Sequence, residues 1–177
     1  ANNEIPTVAF RRTCNTGEDL DVLAEQFRTS EFVEGCLLSE RITPELRDLE
    51  TNGQIYFQDE ASQMVARSVD LKAGDSVLDV CASPGSKTTA IALHSRSNAK
   101  DILICAGDVS GPRTVFLKQN CQRQGCGEVA VLQFDALYCL PFADAEFDTV
   151  LVDAPCSGTG TIRHNPEIRY HLTPDVF

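Results

Sequence analysis

From residue 76 onward, short apolar runs alternate with longer stretches of helical spacing. Val77-Leu78-Asp79-Val80-Cys81, Ile102-Leu103-Ile104-Cys105-Ala106, Val129-Ala130-Val131-Leu132 and 147–152 are nearly continuous apolar runs bounded by turn residues. That is the pattern of strands buried on both faces. Between them, 87–94 and 112–124 read as helices, with Pro112 in a first turn and Gly125 as a stop. Apolar strands alternating with helices predict a parallel sheet with right-handed crossovers. Just upstream, Ile55-Tyr56-Phe57 is a short apolar run. Asp59 is placed to cap a helix running to about Leu71, with Ala61, Met64, Val65, Ser68 and Val69 inward, and 72–75 is a turn. The first fifty residues look separate. They carry a short strand over 6–11, a helix over 19–27 with Leu20, Leu23 and Phe27 on one face, and a strand over 35–38. Residues 39–54, charged and poor in aromatics, read as surface or linker. The pattern therefore predicts a small partial α/β subdomain over 1–50 and an open α/β core over 51–177.

Bulk properties narrow this picture. A chain of 177 residues, 42% hydrophobic and 23% charged, is ordinary globular material: one domain with an appendage. No apolar run reaches membrane-spanning length and residues 1–4 are not a secretory leader. The expected setting is intracellular: cytoplasmic in a bacterium; nuclear, nucleolar or mitochondrial in a eukaryote. The eight cysteines show no Cys-x-x-Cys and no zinc spacing with histidine. They read as reduced thiols and predict no metal site, with Cys156 the one expected to be reactive. The net charge of −11 provides no basic footprint, so any contact with a polyanion must be local.

Candidate chemistry gathers where the strands end, the rim at which open α/β sheets bind ligands. Asp79 to Thr88 joins strand to helix through Cys81, Ala82, Ser83, Pro84, Gly85, Ser86 and Lys87. Small residues there let a ligand approach the backbone, and the helix start offers free N–H groups. The loop is neither a dinucleotide fingerprint nor a P-loop, since Gly-x-Gly-x-x-Gly is absent and no glycine directly precedes Lys87. Asp108 follows the second strand, where an acid takes the hydroxyls of a ribose, and Asp135 follows the third, within reach of an adenine edge or its ribose. A ribose-binding acid without a pyrophosphate loop points to an adenosine cofactor lacking phosphates, and S-adenosylmethionine fits. After the fourth strand comes Asp153-Ala154-Pro155-Cys156-Ser157-Gly158-Thr159-Gly160, an acid and a thiol side by side. A small cysteine in a glycine-rich turn is the plainer account of an isolated Pro-Cys; the matching cofactor loop upstream favours chemistry.

At these residues the sequence resembles the Sun/Fmu (RsmB-like, NSUN-like) family of RNA 5-methylcytosine methyltransferases. Gln58-Asp59-Glu60-Ala61-Ser62, the Cys81–Lys87 loop, Asp108-Val109-Ser110-Gly111-Pro112-Arg113 with Asn120, Phe134-Asp135-Ala136, and Asp153 to Gly160 with Arg163-His164-Asn165-Pro166-Glu167 are similar to its motifs. The likeness is strong over 50–177 and weaker over 1–50. Ser83 and Ser86 replace the usual Ala and Gly, and Tyr170 stands where Trp is common. The resemblance implies a Rossmann-like class I methyltransferase fold whose last strands are missing. It implies S-adenosylmethionine held by residues 81–87, Asp108, Arg113, Asp135 and Asp153, with Lys87 and Asp153 also facing the target base. The implied partner is rRNA or tRNA.

The implied reaction explains the side chains. Carbon 5 of cytosine is a poor nucleophile; a thiolate adding to carbon 6 makes it enamine-like, and proton help at the ring completes the activation. In the resembled family the nucleophile comes from a later Thr-Cys motif, and the Pro-Cys thiol, Cys156 here, assists product release. No cysteine follows Cys156, and Thr173-Pro174 opens a helix that Phe177 does not complete. The chain therefore reads as the cofactor-binding half, cut rather than finished, and inactive alone. A non-catalytic cofactor or RNA-binding scaffold is the alternative. A methyltransferase acting on adenine, protein or a small molecule ranks lower, because amino-methylating enzymes prefer an Asp/Asn-Pro-Pro-aromatic block. Arg163, His164 and Arg169 form a locally basic patch suited to phosphate contact.

Overall fold

The computed structural model describes residues 7–15, 25–98 and 100–154. The expected helix over 19–27 lies mostly outside them, as does everything beyond Ala154. Among the described residues, eight strands form two four-stranded sheets and four helices accompany them.

The first sheet is antiparallel. Strands β1 (Val8–Arg12), β2 (Arg28–Thr29), β3 (Cys36–Ser39) and β4 (Ile55–Phe57) stand in the order β2-β3-β1-β4. Phe10 faces both Leu37 and Phe57 across this sheet. Its ring meets Phe27 edge-on at 5.1 Å, and Leu46 and Ile55 close the small core around it. Two expectations are corrected here. Residues 39–54 are not linker: helix α1 (Pro44–Thr51) runs through them, with Leu46 fully buried. Thr43 caps it, its Oγ1 accepting from the Leu46 amide at 3.3 Å, and Pro44 supplies the fixed φ of a first helical position. The cap sits inside a charged run, and charge density masked it. The second correction concerns the boundary. β4 pairs with β1, so the first sheet continues to Phe57 rather than ending at residue 50.

Helix α2 (Glu60–Arg67) is capped by Asp59, whose Oδ1 accepts from the Ala61 amide at 2.9 Å. It ends four residues before Leu71 and turns a different face inward. Gln63 and Ala66 are buried, while Met64 and Val65 are half exposed. A polar residue tolerates the interior because it is satisfied: Gln63 Nε2 donates to the Gln58 carbonyl at 2.8 Å.

The second sheet is parallel, as the pattern predicted. Strands β5 (Ser76–Asp79), β6 (Leu103–Asp108), β7 (Ala130–Gln133) and β8 (Thr149–Leu151) stand in the order β7-β6-β5-β8. Helices α3 (Ser86–Ser97) and α4 (Gly111–Arg123) are the crossovers. Val77, Ile104 and Ala106 pack against Ile91 of α3 and Leu117 of α4 on one face. Leu78, Val80, Cys105 and Phe134 form the core of the other. Helix α3 buries Thr88, Thr89, Ala90, Ile91, Ala92 and Ser95, because it lies between the sheet and α2. Small residues on several of its sides permit that double contact.

Arg11 joins the two units. It leaves β1 buried, and its guanidinium donates to Gln58 Oε1 at 2.7 Å, Thr89 Oγ1 at 2.7 Å, the Ser86 carbonyl at 3.0 Å and Gln124 Oε1 at 3.2 Å. The Tyr56 ring lies 5.2 Å from the guanidinium carbon. Burial lowers its pKa to about 10, so it remains charged at neutral pH.

Candidate functional site

The site forms where β5, β6, β7 and β8 end. After Asp79 the chain turns through Val80 and Cys81, and the Ala82 amide donates to the Gly107 carbonyl at 2.8 Å, tying the loop to β6. The Ser83–Pro84 peptide is cis. Gly85 then takes φ of +97°, a backbone region that disfavours side chains, and a Cβ there would meet Leu117 Cδ1 at 2.8 Å. No side chain caps α3 at Gly85. Helix α4 holds the loop from the side. Asn120 Nδ2 donates to the Pro84 carbonyl at 2.9 Å, Arg113 Nη2 to the Ser83 carbonyl at 2.9 Å, and Ser83 Oγ to the Arg113 carbonyl at 3.1 Å.

Two adjoining cavities result. The larger is an open cleft of about 840 Å³ that includes Cys81, Ser83, Asp108, Arg113, Asp135 and Asp153 in its lining. Val109, Phe134 and Leu137 give it apolar walls. The smaller, about 30 Å³, is lined by Asp79, Ala82, Pro84, Ser86 and Lys87, and shares Cys81, Ser83 and Asp153 with the first. That volume is room for one water or one ammonium group. Of the loop residues predicted to bind a cofactor, only Gly85 lines neither; it faces Leu117 and sets the turn.

Charge is unevenly matched here. Asp108, buried at the end of β6, accepts from the Ser110 amide at 3.1 Å through Oδ1, and its Oδ2 lies 3.2 Å from Arg113. Asp135 Oδ1 accepts from the Leu137 amide at 2.9 Å. Lys87 Nζ donates to Asp153 Oδ2 at 2.5 Å, and the Asp153 side chain is 54% exposed. The cavities thus hold four carboxylates, counting Asp79, against two cations. The Cys81 thiol is pushed above its ordinary pKa by burial and by Asp108, Asp79 and Asp153, so it stays neutral at the rim.

Asp79 was not among the residues singled out from sequence. It is 1% exposed; Oδ2 accepts from Thr88 Oγ1 at 2.7 Å, while Oδ1 has no hydrogen-bond partner among the described residues. Burial raises its pKa to about 6. A buried carboxylate oxygen without a donor, bordering a cavity of ammonium size, is an acceptor awaiting a ligand. The available signal was an acid ending the first parallel strand with Thr88 one helical turn into the next helix. Cys156, Arg163, His164 and Arg169 lie outside the described residues.

An adenosine bearing an amino-acid tail and a positive sulfur matches this arrangement. Apolar walls suit a flat heterocycle, strand-end acids suit ribose hydroxyls, the orphaned Asp79 oxygen suits an ammonium, and surplus negative charge suits a sulfonium. Among the described residues no helix is long and apolar enough to cross a membrane, and no three metal-ligating side chains cluster.

Comparison with known proteins places the chain. The sequence model of the family described as 16S rRNA methyltransferase RsmB/F matches residues 66–177. The probable ribosomal RNA small subunit methyltransferase B of Bacillus subtilis (strain 168) is 36% identical over 125 residues, covering 70% of this chain and 27% of its own length. The ribosomal RNA small subunit methyltransferase F of Aliivibrio salmonicida is 36% identical over 126 residues, with 70% and 26% covered. This chain therefore spans about a quarter of the length of those relatives. Among solved structures, PH0851 matches with a TM-score of 0.83 at 30% identity over 98% of this chain and 41% of that one. NSun6 from Pyrococcus horikoshii with SFG matches with a TM-score of 0.59 at 29% identity, over 70% and 32%. The parallel sheet with flanking helices is thus the Rossmann-like class I methyltransferase fold.

Proposed function

The chain belongs to the 16S rRNA methyltransferase RsmB/F family, and from that premise we propose that it binds S-adenosylmethionine and serves methyl transfer to carbon 5 of a cytosine in rRNA or tRNA. The observation that carries the cofactor part is the unpartnered, buried Asp79 Oδ1 beside a cleft with surplus carboxylates. S-adenosylmethionine, when bound, supplies an electrophilic methyl group on a sulfonium. This chain's residues bind and orient. Asp79 takes the amino group, Asp108 the ribose hydroxyls and Asp135 the adenine side, with Val109, Phe134 and Leu137 as walls. Arg113 and Asn120 keep the 81–87 loop in shape for that contact.

Lys87 and Asp153 meet the target base. Their ion pair holds the ammonium at the rim, where it donates to the pyrimidine while Asp153 accepts from the exocyclic amine. A base inside a duplex cannot reach this rim, so the cytosine is extruded into it. Cys156, three residues past Asp153, is the thiol assigned to product release.

The test is genetic. Bisulfite sequencing of rRNA and tRNA from cells lacking the gene should show loss of methylation at one cytosine or a small set. Restoring the gene should return it, and restoring it with Asp108→Ala should not. Full rescue by Asp108→Ala would support the non-catalytic scaffold instead, and unchanged bisulfite reads with loss of another methylated nucleoside, seen by mass spectrometry of the digested RNA, would replace cytosine as the target.

A further inference from the structure

Two cysteines outside the cofactor cleft have a geometry that the methyl-transfer reading does not use. Cys14 lies in the turn after β1, half-buried; Cys126 lies just past α4, fully buried. They are 112 residues apart in sequence, yet their sulfurs are 3.5 Å apart, with the Cys126 thiol donating to Cys14. The approach depends on Gly125. Its φ is +75°, and a Cβ there would come within 3.0 Å of the Cys14 backbone. Arg96 of α3 stands over the junction, donating to the Gly125 carbonyl at 2.8 Å and to Glu128 at 2.6 Å.

The two thiols are unequal. The hydrogen bond from Cys126 lowers Cys14 to a pKa of about 7 against the opposing effect of burial, and the nearby Arg96 and Arg11 charges help while Glu128 opposes. Cys126 is pushed up by that same pairing and by burial, so it keeps its proton. A partly exposed thiolate reacts first with an oxidant, and a protonated thiol in contact with it resolves the product. The other described cysteines lack this combination: Cys36, Cys105 and Cys121 are buried with raised pKa values, Cys81 is likewise raised by burial and its acidic neighbours, and Cys139 is exposed.

We propose that Cys14 and Cys126 are an oxidisable pair, converted by a peroxide into a disulfide that ties the end of β1 to the loop after α4. The Cys14 thiolate attacks one peroxide oxygen, the O–O bond breaks, and the departing hydroxide takes a proton to become water. Cys14 is then a sulfenic acid, oxidised by two electrons while the peroxide is reduced. The Cys126 sulfur next attacks the Cys14 sulfur; the S–O bond breaks, the Cys126 proton leaves with the hydroxyl as a second water, and an S–S bond forms. Bringing the sulfurs from 3.5 Å to bonding distance requires each to move about 0.7 Å. The disulfide closes a loop of more than a hundred residues across the joint between the two sheets, the long-loop case in which a cross-link restricts the unfolded chain most.

Peptide mapping tests this. The folded chain is treated with submillimolar hydrogen peroxide, capped with maleimide, digested and weighed. The expected product is a Cys14–Cys126 linked peptide, two hydrogens lighter than its parts, absent in Cys14→Ser, and accompanied by a thermal midpoint raised by several degrees. In the untreated chain, maleimide should label Cys14 with a midpoint near pH 7, which Cys126→Ala moves toward the ordinary cysteine value of about 8.5. Recovery of Cys14 as sulfinic or sulfonic acid with Cys126 unlinked would overturn the proposal. So would a disulfide between other cysteines. The wild-type map decides the matter even where Cys126→Ala fails to fold.

Discussion

Arg11 and Lys87 both act at the first turn of α3, and the structure treats the two charges in opposite ways. Arg11 is 4% exposed and reaches neutral acceptors, among them two glutamines, a threonine and two backbone carbonyls, with no carboxylate among these partners. Lys87 meets a carboxylate, Asp153, that is half open to solvent. Neutral acceptors fixed by the fold cannot be drawn away by an incoming anion or cation, so the Arg11 shell is a permanent clasp between the sheets. The Lys87–Asp153 pair is exchangeable: its carboxylate is half open to solvent, so a ligand can reach it. Asp79 stands apart from both, with one oxygen fixed by Thr88 and the other buried without a partner among the described residues. In this molecule, a buried cation held by neutral acceptors marks the joint, and a half-exposed ion pair marks the site.

Three substitutions separate the joint from the site. The largest effect belongs to the joint. Arg11→Met strands Gln58, Thr89 and Gln124 in the interior, and should cost about 3–5 kcal/mol in urea unfolding. A loss under about 1 kcal/mol would mean that the clasp is not what holds the sheets together. Next is Asp79. Its folded pKa of about 6 lies above the ordinary 3.8, so the folded state binds the extra proton between those values. Stability contributed by that proton is full below about pH 4 and is lost as pH rises through 6, a change of about 3 kcal/mol that Asp79→Asn should abolish. A wild-type unfolding profile flat between pH 4 and 6 would contradict the buried, unpartnered carboxylate. The smallest effect is at the rim. Lys87→Met should change stability by less than about 1 kcal/mol, since Asp153 is half exposed. A larger loss would place Lys87 with the structural charges instead.

The same contrast explains what could be read in the sequence. Every element of the parallel sheet was legible, because continuous apolar runs such as 102–106 and 129–132 have only one comfortable home in an α/β protein. So were the strand-end acids Asp108, Asp135 and Asp153, since topology alone brings them to one rim. The antiparallel unit was read less well. Helix α1 hides among charges, where Thr43 and Pro44 were the available signals, and β4 joins its sheet by a pairing with β1 some 45 residues away that no local pattern encodes. The inner face of α2 was misplaced because hydrophobicity favoured Met64 and Val65, whereas Gln63 goes inside by satisfying its amide. Arg11 and Asp79 escaped notice for a related reason. A buried charge is recognised by its partners, and its partners lie up to 113 positions away.

The central claim is that the rim of the parallel sheet is a cofactor site, and calorimetric titration of the chain with S-adenosylmethionine tests it most directly. The account predicts saturable binding at one site per chain, weakened at least about tenfold by Asp108→Ala through loss of charge-assisted hydrogen bonds. It also predicts proton release on binding below pH 6, as the ligand's ammonium ionises Asp79. A folded chain that takes up no cofactor, or an Asp108→Ala variant that binds as the wild type does, would contradict it.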